Sequence, residues 1–414
     1  MDKKYRLLKL IGAMISVVFG LLQVRYFTEF YMDSAALLLT LLGLYVYVSF
    51  LDFGLTKPIY AELREEYLRS GSRVTKSYLW LFLVFSILVL FTSIVLIILI
   101  SRLFNSDLSV MVIASLSISF SSSLYFVFLR AVFEAFEMHR LIEFLDIIRK
   151  FLLLMITLFI SVLDSIDYYF FLFGLVNIMV LAMALKSLST QVIFPRLSIK
   201  CMEDDLKMIG RNGLNNMLYS VSDLLINNSG IIIIPYLFTD KVVLTYHLWL
   251  RLYRGLSLFY RSVMDAEIPR LTLFYFNNEL RIFNRRIVRS LYVHISLVTL
   301  ASFILVLLSN EFFMFFNVEI GSRDTHIVFF VSLWILMFAN VIQHRVANVM
   351  LSIGGYYLGM RKISFRMLAV VVMTYLFIGY LRVSLVYTLI ALSIVMLLSA
   401  FFHLRMFKIS FDAE

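Results

Sequence analysis

Long apolar runs alternate with short polar segments along the whole chain. Twelve of these runs contain about twenty residues each, the length that crosses a bilayer as an α-helix. They cover residues 8–27, 34–56, 77–100, 109–130, 144–163, 168–185, 213–234, 242–263, 288–308, 326–345, 363–380 and 384–403. The pattern predicts an all-α polytopic membrane protein with about twelve transmembrane helices.

The basic residues sort according to this arrangement. Of the 37 Lys and Arg residues, thirty fall on one side of the twelve runs. The five that fall on the opposite side are Arg25, Arg102, Lys241, Arg323 and Arg382. Because basic segments stay cytoplasmic during insertion, both termini are expected in the cytoplasm. The remaining two, Arg251 and Arg254, lie inside the eighth run.

The composition of the chain excludes several classes of function. The chain is 62% hydrophobic and only 15% charged, with a mean hydropathy of +0.92, unlike a soluble enzyme. Its net charge of +10 is juxtamembrane, which indicates contact with anionic membrane lipids and not with nucleic acid. A single cysteine, Cys201, excludes a disulfide framework. No GxxxxGK[ST] or HExxH motif occurs, so neither ATP hydrolysis nor a metal site is expected, and we predict no enzyme.

The polar connections suggest an organisation into two halves. The most polar stretch, Ser187–Arg211, separates two sets of six runs. We therefore predict an N-terminal six-helix lobe at 1–190, a cytoplasmic connection at 191–210 and a C-terminal six-helix lobe at 211–414. An even number of helices gives both lobes the same orientation, which permits a parallel repeat of the kind that two-lobed secondary transporters use.

Three other connections have features of their own. Lys57–Lys76 and Met264–Ile287 mix charges with apolar residues at helical spacing, which predicts helices on the cytoplasmic surface. The longest external segment, near Ser309–Thr325, is rich in Phe and is expected to lie in the membrane interface.

The eighth run contains the most informative polar residues. His247, Arg251, Arg254, Leu258 and Arg261 follow a 4-3-4-3 spacing, so they share one helix face. Each buried arginine costs about 2.5–3.5 kcal/mol on insertion scales, so it needs water or an anionic partner. One interpretation is a cationic cavity wall that binds a phosphate-bearing substrate, because guanidinium groups match phosphate geometry. The alternative pairs the arginines with carboxylates on other helices, while Arg261 snorkels to the interface.

The seventh run carries a second polar group. Asp223 and Asn227 are four residues apart and lie on one face. Because burial raises the pKa of a carboxyl, Asp223 could bind and release a proton, or ligate a cation together with an amide oxygen. Asp223 could instead be an ion-pair partner of an eighth-run arginine. Gly230 and Pro235 could bend this helix.

Two further polar groups lie at helix ends. Arg25 and Glu29 are four residues apart at the external end of helix one, where they form either an interfacial ion pair or a substrate contact at a cavity mouth. Asp52 ends helix two, and its carboxylate is expected to accept from backbone N–H groups near Gly54, which is a structural role.

Several local motifs resemble one protein family. The segment Leu51–Leu55 (LDFGL), followed by Pro58, is similar to the DFGL segment of bacterial polysaccharide flippases of the Wzx type. These flippases belong to the MATE-like multidrug/oligosaccharidyl-lipid/polysaccharide exporter superfamily. Tyr246 with Arg251–Tyr253 resembles the tyrosine-then-Arg-Leu pattern of helix eight in that family, and Pro269 resembles the proline that follows it.

The exit of helix one, Arg25 through Phe30, resembles the family's arginine followed by an aromatic stretch, although the usual glycines are missing. The resemblance implies alternating-access flipping of an undecaprenyl-diphosphate-linked oligosaccharide to the outer leaflet of the bacterial cytoplasmic membrane, as in O-antigen biosynthesis. It also implies an antiporter without a cofactor, driven by a proton or sodium gradient. Arg251 and Arg254 would contact the diphosphate, and Asp223 would couple the ion. The implied partners are a polysaccharide polymerase and a chain-length regulator.

Two other functions remain open. One is a membrane-embedded polysaccharide polymerase, but such enzymes carry a sizeable external loop with arginines, and the longest external segment here contains only Arg323. The other is a small-molecule or drug exporter of the same fold. A cationic helix face disfavours cationic drugs, because like charges repel.

Overall fold

A computed structural model of the chain covers most of its length. The residues described are 3–50, 56–71, 73–75, 78–104, 106–160, 163, 165–192, 218, 221–222, 225–226, 228–265, 267, 271, 274–275, 277–316, 323–353, 357–381 and 384–412.

Within these residues the elements are α-helices, apart from a short 3-10 turn at Met32–Ser34. The helices are α1 (Lys3–Phe30), α2 (Ala35–Phe50), α3 (Thr56–Ser70), α4 (Tyr78–Leu103), α5 (Val110–Ala135), α6 (His139–Leu158), α7 (Ile166–Ser189), α8 (Gly230–Leu237), α9 (Asp240–Asp265), α10 (Leu280–Leu307), α11 (Ser309–Phe316), α12 (Arg323–Ile353), α13 (Tyr357–Leu381) and α14 (Leu385–Asp412). The prediction of an all-α architecture is confirmed for the described residues.

The chain divides into two compact units. The N-terminal unit consists of Asp2–Tyr26 and Leu37–Leu224. The C-terminal unit consists of Phe27–Ala36 and Leu225–Glu414. The predicted lobe boundaries stay a prediction, because residues 193–217, which include most of the proposed connection, lie outside the described residues.

Among the described residues, eight helices are long and apolar enough to cross a membrane. They are α1, α4, α5, α7, α10, α12, α13 and α14. The chain is therefore a multi-pass membrane protein, whereas the count of twelve spans and the side of the termini are not confirmed. Among the other four predicted runs, α2 is only 16 residues long, and α6 and α9 contain several charged residues. The run at 213–234 is described only in part, and its last residues form the first part of α8.

In the N-terminal unit, α5 is the central helix and packs against α3, α4, α6 and α7. Small residues let helix backbones approach closely in a membrane. A Cβ placed on Gly174 of α7 would lie 3.2 Å from the carbonyl oxygen of Ser115 in α5. On the other side of α5, Phe128 stacks on Phe82 of α4 with ring centroids 3.7 Å apart. These contacts bury α5 on most sides.

In the C-terminal unit, α12 is the central helix and packs against α9, α10, α11 and α14. Ser393 Oγ of α14 donates to the carbonyl oxygen of Ser332 in α12 at 2.7 Å. The indole Nε1 of Trp249 in α9 donates to Ser332 Oγ at 3.1 Å. One serine of α12 thus fixes both α14 and α9.

Several helix boundaries differ from those expected. α10 begins at Leu280, eight residues before the predicted run, because Phe283 and Ile287 pack with Leu271 and Val349 in one buried cluster. The first half of the predicted external segment is the helix α11, and its Phe313 is buried against α12.

The predicted surface helix at 57–76 is α3, which packs on α5. Arg64 of α3 donates to the carbonyl oxygen of Ala135 at 3.1 Å and to Glu137 Oε1 at 2.8 Å. Glu137 has φ +65° in the turn between α5 and α6. Arg64 therefore ties α3 to that turn.

The surfaces of α4, α10 and α13 are mostly apolar. Large side chains such as Phe91, Leu297 and Met373 are exposed on them, by 62%, 57% and 65%. Continuous apolar faces of this length suit the hydrocarbon region of a bilayer. These helices therefore face lipid.

Candidate functional site

The predicted polar face lies on one continuous helix, α9. His247 is almost completely buried, with 1% of its surface exposed, while Arg251 and Arg254 are half-buried. Leu258, one turn beyond Arg254, is 41% exposed. The face therefore runs from the interior of the C-terminal unit at His247 to its surface at Leu258, with the two arginines between. Between Lys241 and Met264 the helix contains no Asp or Glu.

Arg254 is oriented by an amide. Its Nη2 donates to Asn228 Oδ1 at 2.6 Å, and Asn228 is 6% exposed. A neutral oxygen positions a guanidinium without cancelling its charge, because an amide carries only a dipole. The contact identified for Arg254 among the described residues is therefore not the carboxylate pair that the alternative interpretation expects.

Arg261 belongs to a second amide-centred group. Asn340 of α12 is 2% exposed, and its Oδ1 accepts from Arg261 Nη2 at 2.8 Å and from Arg261 Nε at 3.2 Å. The same oxygen accepts from the Tyr260 hydroxyl at 2.7 Å, while Asn340 Nδ2 donates to the Tyr253 hydroxyl at 2.6 Å. Arg261, which the alternative interpretation lets snorkel to the interface, donates to this buried amide, and its depth in the membrane stays a prediction.

Sequence reasoning missed Asn340, Tyr253 and Tyr260. The two tyrosines are seven residues apart, which is two helical turns, so they lie on one side of α9. Asn340 is a polar residue in the middle of an apolar run. That spacing and that isolated amide were the available signals, but sequence alone does not pair residues on distant helices.

An aromatic row lies beside the arginine face. Tyr246 stacks on Trp249 with ring centroids 6.2 Å apart, and Trp249 stacks on Tyr253 at 6.4 Å. Gly230 allows this arrangement, because a Cβ there would overlap the Tyr246 hydroxyl and lie 2.9 Å from the Tyr375 hydroxyl. Gly230 starts α8 and permits close approach of the Tyr246 side chain, while the bend that Gly230 and Pro235 could produce stays a prediction.

The aromatic row borders a small cavity of about 20 Å³, which is room for one water molecule. Most of its other lining residues are aliphatic. The lining residues are Ile226, Tyr246, Trp249, Leu250, Tyr253, Leu336, Val371, Tyr375, Leu392, Val395 and Met396. A space of this size holds no sugar or phosphate, so within the C-terminal unit this cavity is not the substrate site.

A second group of charges is buried in the N-terminal unit. Asp146 Oδ1 accepts from Arg149 Nη2 at 2.6 Å, and Oδ2 accepts from Arg130 Nη2 and Lys150 Nζ, both at 2.9 Å. Glu143 lies 3.6 Å from Arg130. The side chains of Asp146 and Glu143 are 3% and 5% exposed. Three cations and two carboxylates leave the group with a net charge of +1.

The distribution of Lys and Arg residues along the sequence placed Arg130, Arg149 and Lys150 on the cytoplasmic side. In the structure Arg130 joins α5 to Asp146 of α6, and Arg149 and Lys150 bind the same buried carboxylate from within α6. These cations therefore have a packing role that the charge distribution did not predict. The sequence feature that could have indicated this ion-pair group is the spacing of Glu143, Asp146 and Lys150, which are three and four residues apart on α6.

The remaining predicted site residues lie away from these two groups or outside the described residues. Arg25 is half-buried in α1, in the N-terminal unit, and Glu29 near the end of that helix is exposed. Pro58 lies in the first turn of α3. Asp52, Gly54, Asp223, Asn227 and Pro269 lie outside the described residues, so the predictions for them stay predictions. Among the residues that the structure describes, no group of three His, Cys, Asp or Glu residues is arranged to hold a metal ion.

Comparison with known proteins gives the fold class. No family model and no curated protein matches the sequence. Solved structures do match over nearly the whole chain. An inward-facing multidrug resistance transporter of the MATE family, in the MOP superfamily, superposes with a TM-score of 0.72 at 10% identity, covering 99% of this chain and 98% of that one.

Two other structures share the fold. The lipid II flippase MurJ, in an inward closed conformation, has a TM-score of 0.66 at 14% identity, with 97% of this chain and 87% of that one covered. A MOP-superfamily transporter from Pyrococcus furiosus, described as having a binding pocket of reversed polarity, has a TM-score of 0.65 at 11% identity and coverage of 99% and 95%.

The chain therefore has a MATE-like fold, as the sequence resemblance implied. These three neighbours are transporters or flippases and not enzymes. At such low identity the likeness concerns the fold alone, so the Wzx-type assignment rests on the sequence motifs.

Proposed function

We propose that this protein is a secondary transporter that flips an undecaprenyl-diphosphate-linked oligosaccharide from the cytoplasmic to the outer leaflet of a bacterial cytoplasmic membrane. The observation that carries the proposal is α9, on which Arg251 and Arg254 are half-buried and Arg254 is oriented by the amide of Asn228. A diphosphate is the anion that such guanidinium groups bind best, because each can donate two parallel hydrogen bonds to phosphate oxygens.

The fold supports a lipid-linked substrate. One neighbour with this fold, MurJ, is a lipid II flippase, and the DFGL segment of this chain resembles the Wzx-type flippases. A flippase needs no nucleophile and no bound cofactor, since the substrate leaves chemically unchanged. The energy would come from a proton or sodium gradient, with Asp223 and Asn227 as the proposed coupling residues and Arg25 as a further cationic contact.

Within this mechanism the arginines act by differential binding. An anion site helps translocation only if it binds the diphosphate in one state and releases it in the other. Orientation by a neutral amide suits such reversible binding, because the guanidinium does not have to leave a strong carboxylate partner at Asn228 before it binds phosphate.

A deletion strain tests the assignment. Accumulation of undecaprenyl-linked repeat units that face the cytoplasm is the expected result, whereas unpolymerised units in the outer leaflet would identify a polymerase. Complementation with Arg251→Gln or Arg254→Gln should leave the accumulation in place. Arg366→Gln, which removes an exposed arginine of α13, is the matched control and should restore surface polysaccharide. Full restoration by both α9 variants would refute the anion site.

A multidrug exporter is the second candidate, favoured by the likeness to a multidrug resistance transporter. Efflux of a cationic dye from cells that overproduce the protein separates the two functions. We expect no efflux above the empty-vector level, because Arg251 and Arg254 repel a cation. Gradient-dependent dye efflux, together with normal lipid-linked intermediates in the deletion strain, would favour the exporter.

A further inference from the structure

The first third of α10 carries four arginines and no acid. Arg281, Arg285, Arg286 and Arg289 lie within nine residues, and the helix contains no Asp or Glu from Leu280 to Leu307. Three of them, Arg281, Arg285 and Arg289, are exposed and recur every four residues, so they form a row along one face. The fourth, Arg286, is half-buried and lies over the ring of Phe274 with its guanidinium carbon 5.0 Å from the centroid.

This row has no counter-charge among the described residues. None of Arg281, Arg285 and Arg289 has an ion pair with a carboxylate there, in contrast to the arginines of α5, α6 and α12. Like charges four residues apart destabilise a helix by a few tenths of a kcal/mol per pair. A bound anion that touches two of them would remove that repulsion.

Beside the row, the exposed face of α10 forms an open recess whose lining residues all belong to this one helix. It is lined by Asn284, Arg285, Val288, Arg289, Tyr292 and Val293. Its polar and apolar residues are separated along the helix, because Asn284, Arg285 and Arg289 lie toward the start and Tyr292 and Val293 lie toward the middle. Tyr292 and Val293 are 69% and 49% exposed.

The recess continues into the lipid-facing surface of the same helix. Beyond Tyr292 the exposed residues are almost all apolar, and they reach the end of α10. They include Leu297, Leu300, Phe303, Ile304 and Leu307. From Arg289 to Leu307 the helix rises about 27 Å at 1.5 Å per residue. The row of arginines therefore stands where an apolar membrane helix meets the headgroup region of one leaflet.

We propose that Arg285 and Arg289, with Asn284, bind the headgroup phosphate of an anionic phospholipid, and that Val288, Tyr292 and Val293 receive the first part of its acyl chains. Free phosphate would use only the polar half of the recess. A zwitterionic lipid would bring its own cation beside the arginines and gain less from the site. An anionic lipid satisfies both halves, and juxtamembrane arginines are attracted to such lipids generally. This proposal is independent of the flippase assignment.

Native mass spectrometry of the full-length protein tests the site. The delipidated protein is titrated with phosphatidylglycerol and, separately, with phosphatidylcholine of the same chain length. The test variant is Arg285→Gln/Arg289→Gln, and Arg366→Gln/Arg405→Gln, which removes two exposed arginines from α13 and α14, is the charge-matched control. We expect the test variant to lose about thirtyfold in phosphatidylglycerol affinity, since each of the two arginines near an anionic lipid contributes about 1 kcal/mol. The control and all phosphatidylcholine affinities should change less than about twofold, within the scatter of such surface effects.

Three competing outcomes would overturn the proposal. Equal loss in both double variants means that only net charge matters. Full competition by inorganic phosphate or glycerol phosphate at matched concentration means that the recess is a bare anion site. Loss of undecaprenyl diphosphate binding without loss of phosphatidylglycerol binding means that it receives the transported lipid. Arg285→Lys/Arg289→Lys, which retains the charge, should keep most of the affinity and so excludes a folding defect as the cause.

Discussion

The partly buried cations of α9 and those of the α5–α6 pair are oriented by different groups, whereas Arg345 of α12 pairs with Glu267 in the C-terminal unit. In the C-terminal unit, Arg254 and Arg261 donate to the amide oxygens of Asn228 and Asn340. In the N-terminal unit, Arg130, Arg149 and Lys150 all donate to the carboxylate of Asp146. A carboxylate cancels charge and holds helices together, whereas an amide orients a guanidinium and leaves its charge in place. Buried position alone therefore does not identify a substrate-binding arginine.

The largest effect is expected from removing the charge at the centre of the N-terminal group. Asp146→Asn leaves three cations without their shared carboxylate, and loss of one partner from a buried ion pair costs about 3–5 kcal/mol. Thermal unfolding of the purified protein in detergent should show a large drop in midpoint. The exposed Asp107→Asn is the matched control and should leave the midpoint nearly unchanged. Equal midpoints for the two variants would contradict a structural role for Asp146.

The next effect concerns transport and not stability. Arg254→Gln should lower the rate of flipping about 10- to 100-fold, since hydrogen bonds to charged groups contribute about 1.5–3 kcal/mol. Its unfolding midpoint should match that of the unmodified protein, in contrast to Asp146→Asn. A reconstituted flipping assay with a lipid-linked oligosaccharide measures the rate. A parallel fall in midpoint and rate would place Arg254 with the structural cations instead.

A smaller effect is expected where α9 depends on packing and not on charge. Gly230→Ala places a methyl group against the hydroxyls of Tyr246 and Tyr375, and overpacking of this kind costs about 1–3 kcal/mol. Gly12→Ala is the comparison, because the nearest atom to its Cβ would be 3.5 Å away, an ordinary contact. We expect a lower unfolding midpoint for Gly230→Ala only, and a midpoint equal to that of Gly12→Ala would show that Tyr246 can move.

The smallest effect is a pH dependence outside the membrane helices. The hydrogen bond and charge of Arg64 lower the pKa of Glu137 from its ordinary value of 4.5. A carboxyl with a lowered pKa in the folded state stabilises it above the unfolded pKa, and this contribution disappears as the pH falls through the folded value. The hydrogen-exchange protection factors of α3, corrected for the intrinsic pH dependence of exchange, should therefore fall slightly below pH 4.5. Glu137→Gln should remove that step, and a step that persists would assign it to another carboxyl.

The repeating apolar pattern was enough to predict helices, because length and hydropathy are local properties. The pattern was less informative about the number of membrane spans. α6 and α9 are long enough to cross a membrane, but their charged residues lower their hydropathy. Of the candidate site, the face of Arg251 and Arg254 could be predicted from a 4-3 spacing within one helix. The contacts Asn340–Tyr253, Asn228–Arg254 and Asp146–Arg130 could not be predicted, because each joins residues that lie 16 to 87 positions apart in the chain.

The central claim is that Arg254 binds the diphosphate of the substrate. One substitution tests it most directly, because it gives Arg254 of α9 a carboxylate partner like that of the cations in the N-terminal unit. Asn228→Asp replaces the amide beside Arg254 with a carboxylate of the same shape. The measurement is the equilibrium binding of undecaprenyl diphosphate to the full-length protein in nanodiscs. We predict that Asn228→Asp weakens this binding about tenfold, as Arg254→Gln does, while its unfolding midpoint stays the same or rises. Unchanged affinity in both variants would contradict the assignment of this arginine to the diphosphate.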